Sequence, residues 1–236
     1  ELFPNLLGLE HHPVQLEFEK FYQSLGVGCT KNRNAGYISW KDGEYLDEPE
    51  FIVTGFSMKR ISESKIAKEF QKNLLQMWAS VAPYDEVMSY CKTTFNNVKK
   101  GKVPLTDIIK RGRVRQDLSS YKTVSSGIAG VCYYNQHINA DDPITDSFLY
   151  MECKHIEGPQ WFMLPDGSKD RIAKFISVKE MKEFEGLCVP DWGAYAYKSV
   201  VKKAIPIFNA MGWNVKDFMI DDNQRSLSDW LGSEEE

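Results

Sequence analysis

The sequence predicts an α+β fold: short antiparallel strands at the amino end, then a mainly helical region that holds a small β-rich insertion. Three observations carry this. Residues 14–22 alternate apolar and polar, the period of a half-buried strand. From Ser62 the period changes to three and four residues, the period of one helix face. Residues 144–178 then return to strand-like runs punctuated by turn residues.

Taken in order, residues 14–22, 35–40 and 50–54 read as strands, the last two separated by the turn Lys41-Asp42-Gly43. Two or three such strands are marginal alone in water, so this sheet edge is expected to need strands from another polypeptide. Ile66, Phe70, Leu74, Met77, Trp78 and Val81 form the stripe of a first helix, with Ser62 as its N-cap and Glu63 favourable to its dipole. Pro83 opens a second helix with the stripe Val87, Cys91, Thr94 or Phe95, and Val98, stopped at Lys99-Lys100-Gly101. A shorter helix is expected from Ser125-Ser126 to about Asn135. Between them lies a basic stretch, 103–122, in which Pro104 and Gly112 are expected to prevent regular structure. Residues 147–153 and 161–164 read as strands, the second followed by the turn Pro165-Asp166-Gly167. A last helix is expected from the N-cap Asp191 to Met211, stopped at Gly212 and kinked at Pro206, with Tyr197, Val201, Ala204 or Ile205, and Phe208 on its buried face.

Composition bounds the function. A chain of 236 residues, 42% hydrophobic and 13% aromatic, can bury a core and is compatible with one or two domains. It holds no secretory signal and no apolar run of about 18 residues, so a soluble, cytoplasmic protein without a membrane partner is expected. Cys29, Cys91, Cys132, Cys153 and Cys188 are scattered, without a Cys-x-x-Cys pair, and read as reduced thiols. His11-His12 beside Glu10 lacks a third imidazole or Cys nearby and reads as a surface turn, so no metal site is assigned to the chain.

The formal charge is −4, from 29 Lys and Arg against 33 Asp and Glu, and placement matters more than the sum. The cations cluster at Lys31 with Arg33, Lys59 with Arg60, Lys99-Lys100 with Lys102, and Lys110-Arg111 with Arg113 and Arg115. The acids collect at 42–50, 217–222 and in the final Glu234-Glu235-Glu236. Because screening limits charges to roughly 8–10 Å of reach, one basic face can neutralise phosphates on a mildly acidic protein. The strand carboxylates Glu17 and Glu19 share a face, and the cations Lys31 and Arg33 are expected to arrive beside them a short turn later. Carboxylates for metal and cations for phosphate are the ingredients of a polynucleotide site.

The stretch Leu16-Glu17-Phe18-Glu19-Lys20-Phe21-Tyr22 followed by Lys31-Asn32-Arg33-Asn34-Ala35-Gly36 resembles the end of the palm of family B DNA polymerases. Gly55-Phe56 and Arg60 through Gln71 resemble the passage from palm to thumb. Residues 103–108 and 117–122 resemble thumb stretches, and Ala210-Met211-Gly212-Trp213 with residues 224–231 resembles the carboxy end of archaeal members. The resemblance implies a palm edge at 1–60 and a thumb at 61–236, with 144–178 a β-rich subdomain.

It further implies part of a DNA-directed DNA polymerase, a nucleotidyltransferase acting in DNA replication. Lys31, Asn32, Arg33 and Asn34 would form the cationic turn on primer-template DNA, with Asn32 in place of a second cation and Asn34 in place of a tyrosine. Lys59, Arg60, Tyr121 and Lys122 would be thumb contacts; the basic cluster adds Arg111, Arg113 and Arg115. Glu19 or Glu17 would support the catalytic centre without holding its metals. The aspartate strand, the lysine helix and the aspartate hairpin that family B catalysis requires are absent from the sequence. The isolated chain is therefore expected to be inactive, with a larger polymerase subunit supplying the aspartates and binding most of the Mg2+. Gln224, Leu227, Trp230 and Leu231 are similar to a sliding-clamp-binding box, or else pack back onto the thumb. A chain opening downstream of the aspartate hairpin matches the smaller polypeptide of split archaeal enzymes. The alternatives are a clipped fragment of a single-chain polymerase and a non-catalytic adaptor for DNA and clamp.

Overall fold

The computed structural model describes residues 19–165, 167 and 170–220. Its fold is α+β, with small antiparallel sheets and more helix than strand, and it divides into two compact units. One unit comprises the described residues up to Phe56 together with Leu75–Ala82; the other comprises Ser57–Leu74 and the chain from Pro83 onward.

In the first unit, β1 (Lys20–Val27), β2 (Asn34–Lys41) and β3 (Glu44–Thr54) form a sheet in chain order. Asp42 and Gly43 join β2 to β3, both with positive φ (50° and 97°), as a two-residue turn matching the twist of an antiparallel pair requires. The register sets Gly26, Ala35 and Val53 in one row, and Ala35, Ile38 and Val53 are buried. Gly26 accommodates the Trp78 ring: a Cβ there would lie 2.7 Å from it. Phe21, Leu25 and Val27 alternate with these positions and are exposed.

The first strand corrects the expected boundary. Alternation persists through Val27, five residues beyond the expected end at Tyr22, whereas residues 14–18, Glu17 among them, lie outside the described residues. Glu19 precedes the strand and the Lys31 turn follows it. Eight intervening residues at about 3.3 Å each put the carboxylate and the cations at opposite ends of β1, not side by side.

The helix α1 (Lys65–Ala79) begins two residues later than expected. Ser62 is exposed, the Ser64 carbonyl takes the first helical N–H from Lys68, and the Glu63 carboxylate is turned to Lys203 instead of the helix terminus. At the other end, within the first unit, Ala82 N–H donates to the Met77 carbonyl at 2.9 Å and Val81 N–H to Trp78 at 3.2 Å. This is a left-handed helix stop with Val81 (φ 56°) where glycine is usual, so Val81 is exposed and not part of the apolar stripe.

The second unit continues with α2 (Tyr84–Lys99), whose buried residues Val87, Cys91, Phe95 and Val98 are one helix face, as the spacing predicts. The basic stretch is more regular than expected: α3 (Leu105–Ile108), β4 (Lys110–Arg113) and a 3-10 turn at Leu118–Ser120 lie within it. Pro104 sits just before α3, where its missing N–H costs nothing, and Gly112 is a strand residue because the Phe148 ring occupies the space of its side chain. The helix α4 (Ser126–His137) follows. Strand β5 (Ser147–Ile156) pairs with β4, with β8 (Phe175–Val178) and with β9 (Cys188–Pro190), while β6 (Trp161–Met163) and β7 (Asp170–Ile172) form a separate ribbon.

The final helical run starts as α5 (Trp192–Ala196), capped by the Asp191 carboxylate accepting from Ala194 N–H at 2.9 Å. It widens to a π turn at Tyr197–Val201 and resumes as α6 (Lys202–Met211), stopped by Gly212 at φ 71°. The π turn changes which residues face inward. Tyr197 is exposed, against expectation, with Ala196 and Val200 buried in its place; Val201, Ala204 and Phe208 are buried as expected. Beyond it, α7 (Lys216–Met219) brings Phe218 against Phe95 and Phe208, ring centroids 6.2 and 5.5 Å apart.

Candidate nucleic-acid interface

Two sets of cations are built by different means, one in each unit. In the first unit, the β1–β2 connection closes with Gly28 N–H donating to the Arg33 carbonyl at 2.8 Å. Asn32 stands at φ 60°, a conformation asparagine tolerates better than most residues, which is a physical reason for Asn where the family pattern has a cation. Gly55 (φ 76°) passes so close that a Cβ would lie 2.0 Å from the Asn32 carbonyl oxygen. Lys31 is exposed and Arg33 half-buried. Asn34 opens β2 opposite Val27, and its side-chain oxygen is buried without a hydrogen-bond partner among the described residues.

In the second unit, Arg111, Arg113, Arg115 and Tyr121 line one open groove of about 450 Å³ with Ile61, Ser125 and Phe148. Strand alternation places Lys110 and Gly112 on one side of β4 and the two more exposed guanidinium positions, Arg111 and Arg113, on the other. Gly112 is needed for the close approach, because a Cβ would meet the Phe148 ring at 2.4 Å. Arg113 Nε donates to the Asp146 carboxylate at 2.6 Å, both side chains being largely exposed. The Tyr121 hydroxyl accepts from Arg115 N–H at 2.9 Å, so the ring holds the segment carrying Arg115. Tyr121 and Lys122 also line a neighbouring cleft of about 240 Å³ with Leu164 and Arg171. Sequence reasoning did not include Arg171, whose place on a three-residue strand leaves no local signal. Lys59 and Arg60 are exposed and do not line the groove; the following Ile61 and Ser62 do.

The acidic candidates are less assembled. Glu19 is exposed and accepts from Lys20 Nζ at 2.8 Å, a hydrogen bond that with the adjacent ammonium charge holds its carboxyl below the usual range. Among the described residues no group of three or more His, Cys, Asp or Glu could hold a metal ion. The described carboxylates do not fit a Mg2+ centre of their own. Gln224, Leu227, Trp230 and Leu231 lie outside the described residues. No helix among the described residues is long and apolar enough to cross a membrane.

The chain is an α+β protein with a set of cations in each unit. No protein-family model matches the chain. A DNA polymerase of Thermococcus litoralis is 27% identical over 117 residues, and one of Thermococcus aggregans 28% identical over 117. Each alignment covers 49% of this chain and 6% of the relative, so the chain spans a small part of the proteins it matches. The family B DNA polymerase of the hyperthermophilic archaeon Pyrobaculum calidifontis superposes with a TM-score of 0.57 at 18% identity, over 84% of this chain and 23% of that one. The chain is related in sequence to archaeal DNA polymerases and has the fold of a portion of a family B DNA polymerase.

Proposed function

We propose that the chain is the duplex-gripping portion of a family B DNA-directed DNA polymerase, its amino-terminal sheet completing a palm and its second unit acting as a thumb. The catalytic aspartates and the Mg2+ that stabilises phosphoryl transfer belong in this reading to a larger polymerase polypeptide. Three guanidiniums and a tyrosine on one 450 Å³ groove are the observation that carries it. Planar guanidinium forks match phosphate oxygens bidentately and ignore base identity, which suits an enzyme that must copy any sequence. Lys31 and Arg33 would hold primer-template near the primer 3′ end, and Glu19 would stand at the palm margin without ligating metal. Phe21, Leu25 and Val27 leave an apolar row on β1, an edge strand among the described residues, suited to cover by further palm strands.

Primer extension in Mg2+ tests the reading. Synthesis is expected only when the chain is mixed with a polypeptide carrying the catalytic palm. Duplex binding without synthesis under any pairing would favour a non-catalytic adaptor. Synthesis by the isolated chain would refute the division of labour.

A further inference from the structure

Within one charge cluster of the second unit, a lysine makes no hydrogen bond or ion pair with any described residue. Lys203 Nζ donates to Glu63 at 2.6 Å and to the Ser57 hydroxyl at 2.8 Å. Lys198 Nζ reaches both oxygens of Glu152, at 2.7 and 2.5 Å. Both carboxylates are thus occupied. Lys110 lies among them, half-buried, and makes no hydrogen bond or ion pair with any described residue. Three ammonium groups therefore face two carboxylates, and the cluster carries a net positive charge.

Lys110 lines a cavity of about 80 Å³ with Glu63, Ser126, Tyr150, Glu152 and Lys198. At about 10–15 Å³ per water, that is room for some five to eight waters, or the five heavy atoms of one tetrahedral oxyanion. The Ser126 and Tyr150 hydroxyls, which have no partner among the described residues, are free to donate. Burial lowers the Lys110 pKa, opposed by Glu63 and reinforced by Lys203 and Lys198. An anion would reverse that unfavourable balance.

We propose that this cleft is a binding site for one phosphate-class oxyanion, held by Lys110 with the Ser126 and Tyr150 hydroxyls. The anion is either free inorganic phosphate or a phosphodiester of a polynucleotide. The site rests on the charge count and the cavity, and does not depend on the polymerase reading.

The test titrates the whole chain with inorganic phosphate against sodium chloride at matched ionic strength, reading the 31P line width and the melting temperature. A saturable, phosphate-specific response is expected. Lys110→Met should abolish it while folding normally, because an apolar side chain removes a buried unpaired charge. Lys182→Gln, which removes an exposed lysine charge, should leave it unchanged. Adding a short DNA duplex then assigns the source: displacement of phosphate identifies the phosphodiester, and co-occupancy identifies the free anion. A response equal in phosphate and chloride, or one that survives in Lys110→Met, would overturn the site and leave a water-filled charge network.

Discussion

Arg111, Arg113 and Arg115 line one groove, yet they are not equivalent, and that difference sets a measurable pattern. Each phosphate neutralised makes log K fall by about 0.9 per log unit of salt. Replacing Arg111 and Arg115 together by Ala should flatten the slope by about 1.8. Between about 50 and 200 mM salt the parent should then lose roughly tenfold more affinity than the double variant. Arg113 is already paired with Asp146, so DNA must compete for it, and Arg113→Ala should change the slope by less than either neighbour. The pair joins largely exposed groups and is worth at most about 1 kcal/mol, which a phosphodiester can outbid. Asp146→Asn should consequently steepen the slope. Fluorescence anisotropy with a labelled duplex over a salt series reads all four proteins. If the double variant keeps the parent slope, the groove does not bind phosphate and the reasoning from its geometry fails.

Three further outcomes follow from local geometry. Gly55→Ala must strain both a positive φ and a 2.0 Å approach to the Asn32 carbonyl, so it should cost about 1–3 kcal/mol in urea denaturation and weaken duplex binding through the Lys31–Arg33 turn. Val81→Gly relieves a β-branched residue held at φ 56° and should raise stability by about 1 kcal/mol in the same assay; a loss would refute the strain. Burial pushes the Cys91 thiol up to about 12, so at pH 8 iodoacetamide should modify the exposed Cys29 and spare Cys91, as read by peptide mass spectrometry. The unfolded thiol ionises first, so this burial stabilises the fold below the ordinary value of 9.0, and the contribution is lost as pH rises from there toward 12.

Which parts were legible in the sequence follows from how local their causes are. The α2 stripe of Val87, Cys91, Phe95 and Val98 depends on spacing alone and is where it was expected. The Asp42-Gly43 turn is equally local, because both residues accept positive φ. The end of the first strand is misplaced because its continuation carries Gly26, whose inward role depends on Trp78, some fifty positions away. Gly112 read as a breaker for the same reason: its neighbour is the Phe148 ring, which no local window contains. The clustering of Arg111, Arg113 and Arg115 was visible as a charge run. The separation of Lys110 from them was not, because it requires knowing that β4 is a strand with two faces.

The π turn at Tyr197–Val201 has a bearing on tolerance to sequence change. A wide turn holds one more residue than a regular one, so everything after it is rotated by about 100° relative to an uninterrupted α-helix. That rotation aims Lys203, which follows the turn, at Glu63, while Lys198 lies within the turn and meets Glu152. The Lys203 pair thus depends on a single surplus residue. Point substitutions on this helix will be absorbed one contact at a time, whereas losing one position from 197–201 would swing the downstream lysine away from its acid and the aromatic end of the helix out of its socket together.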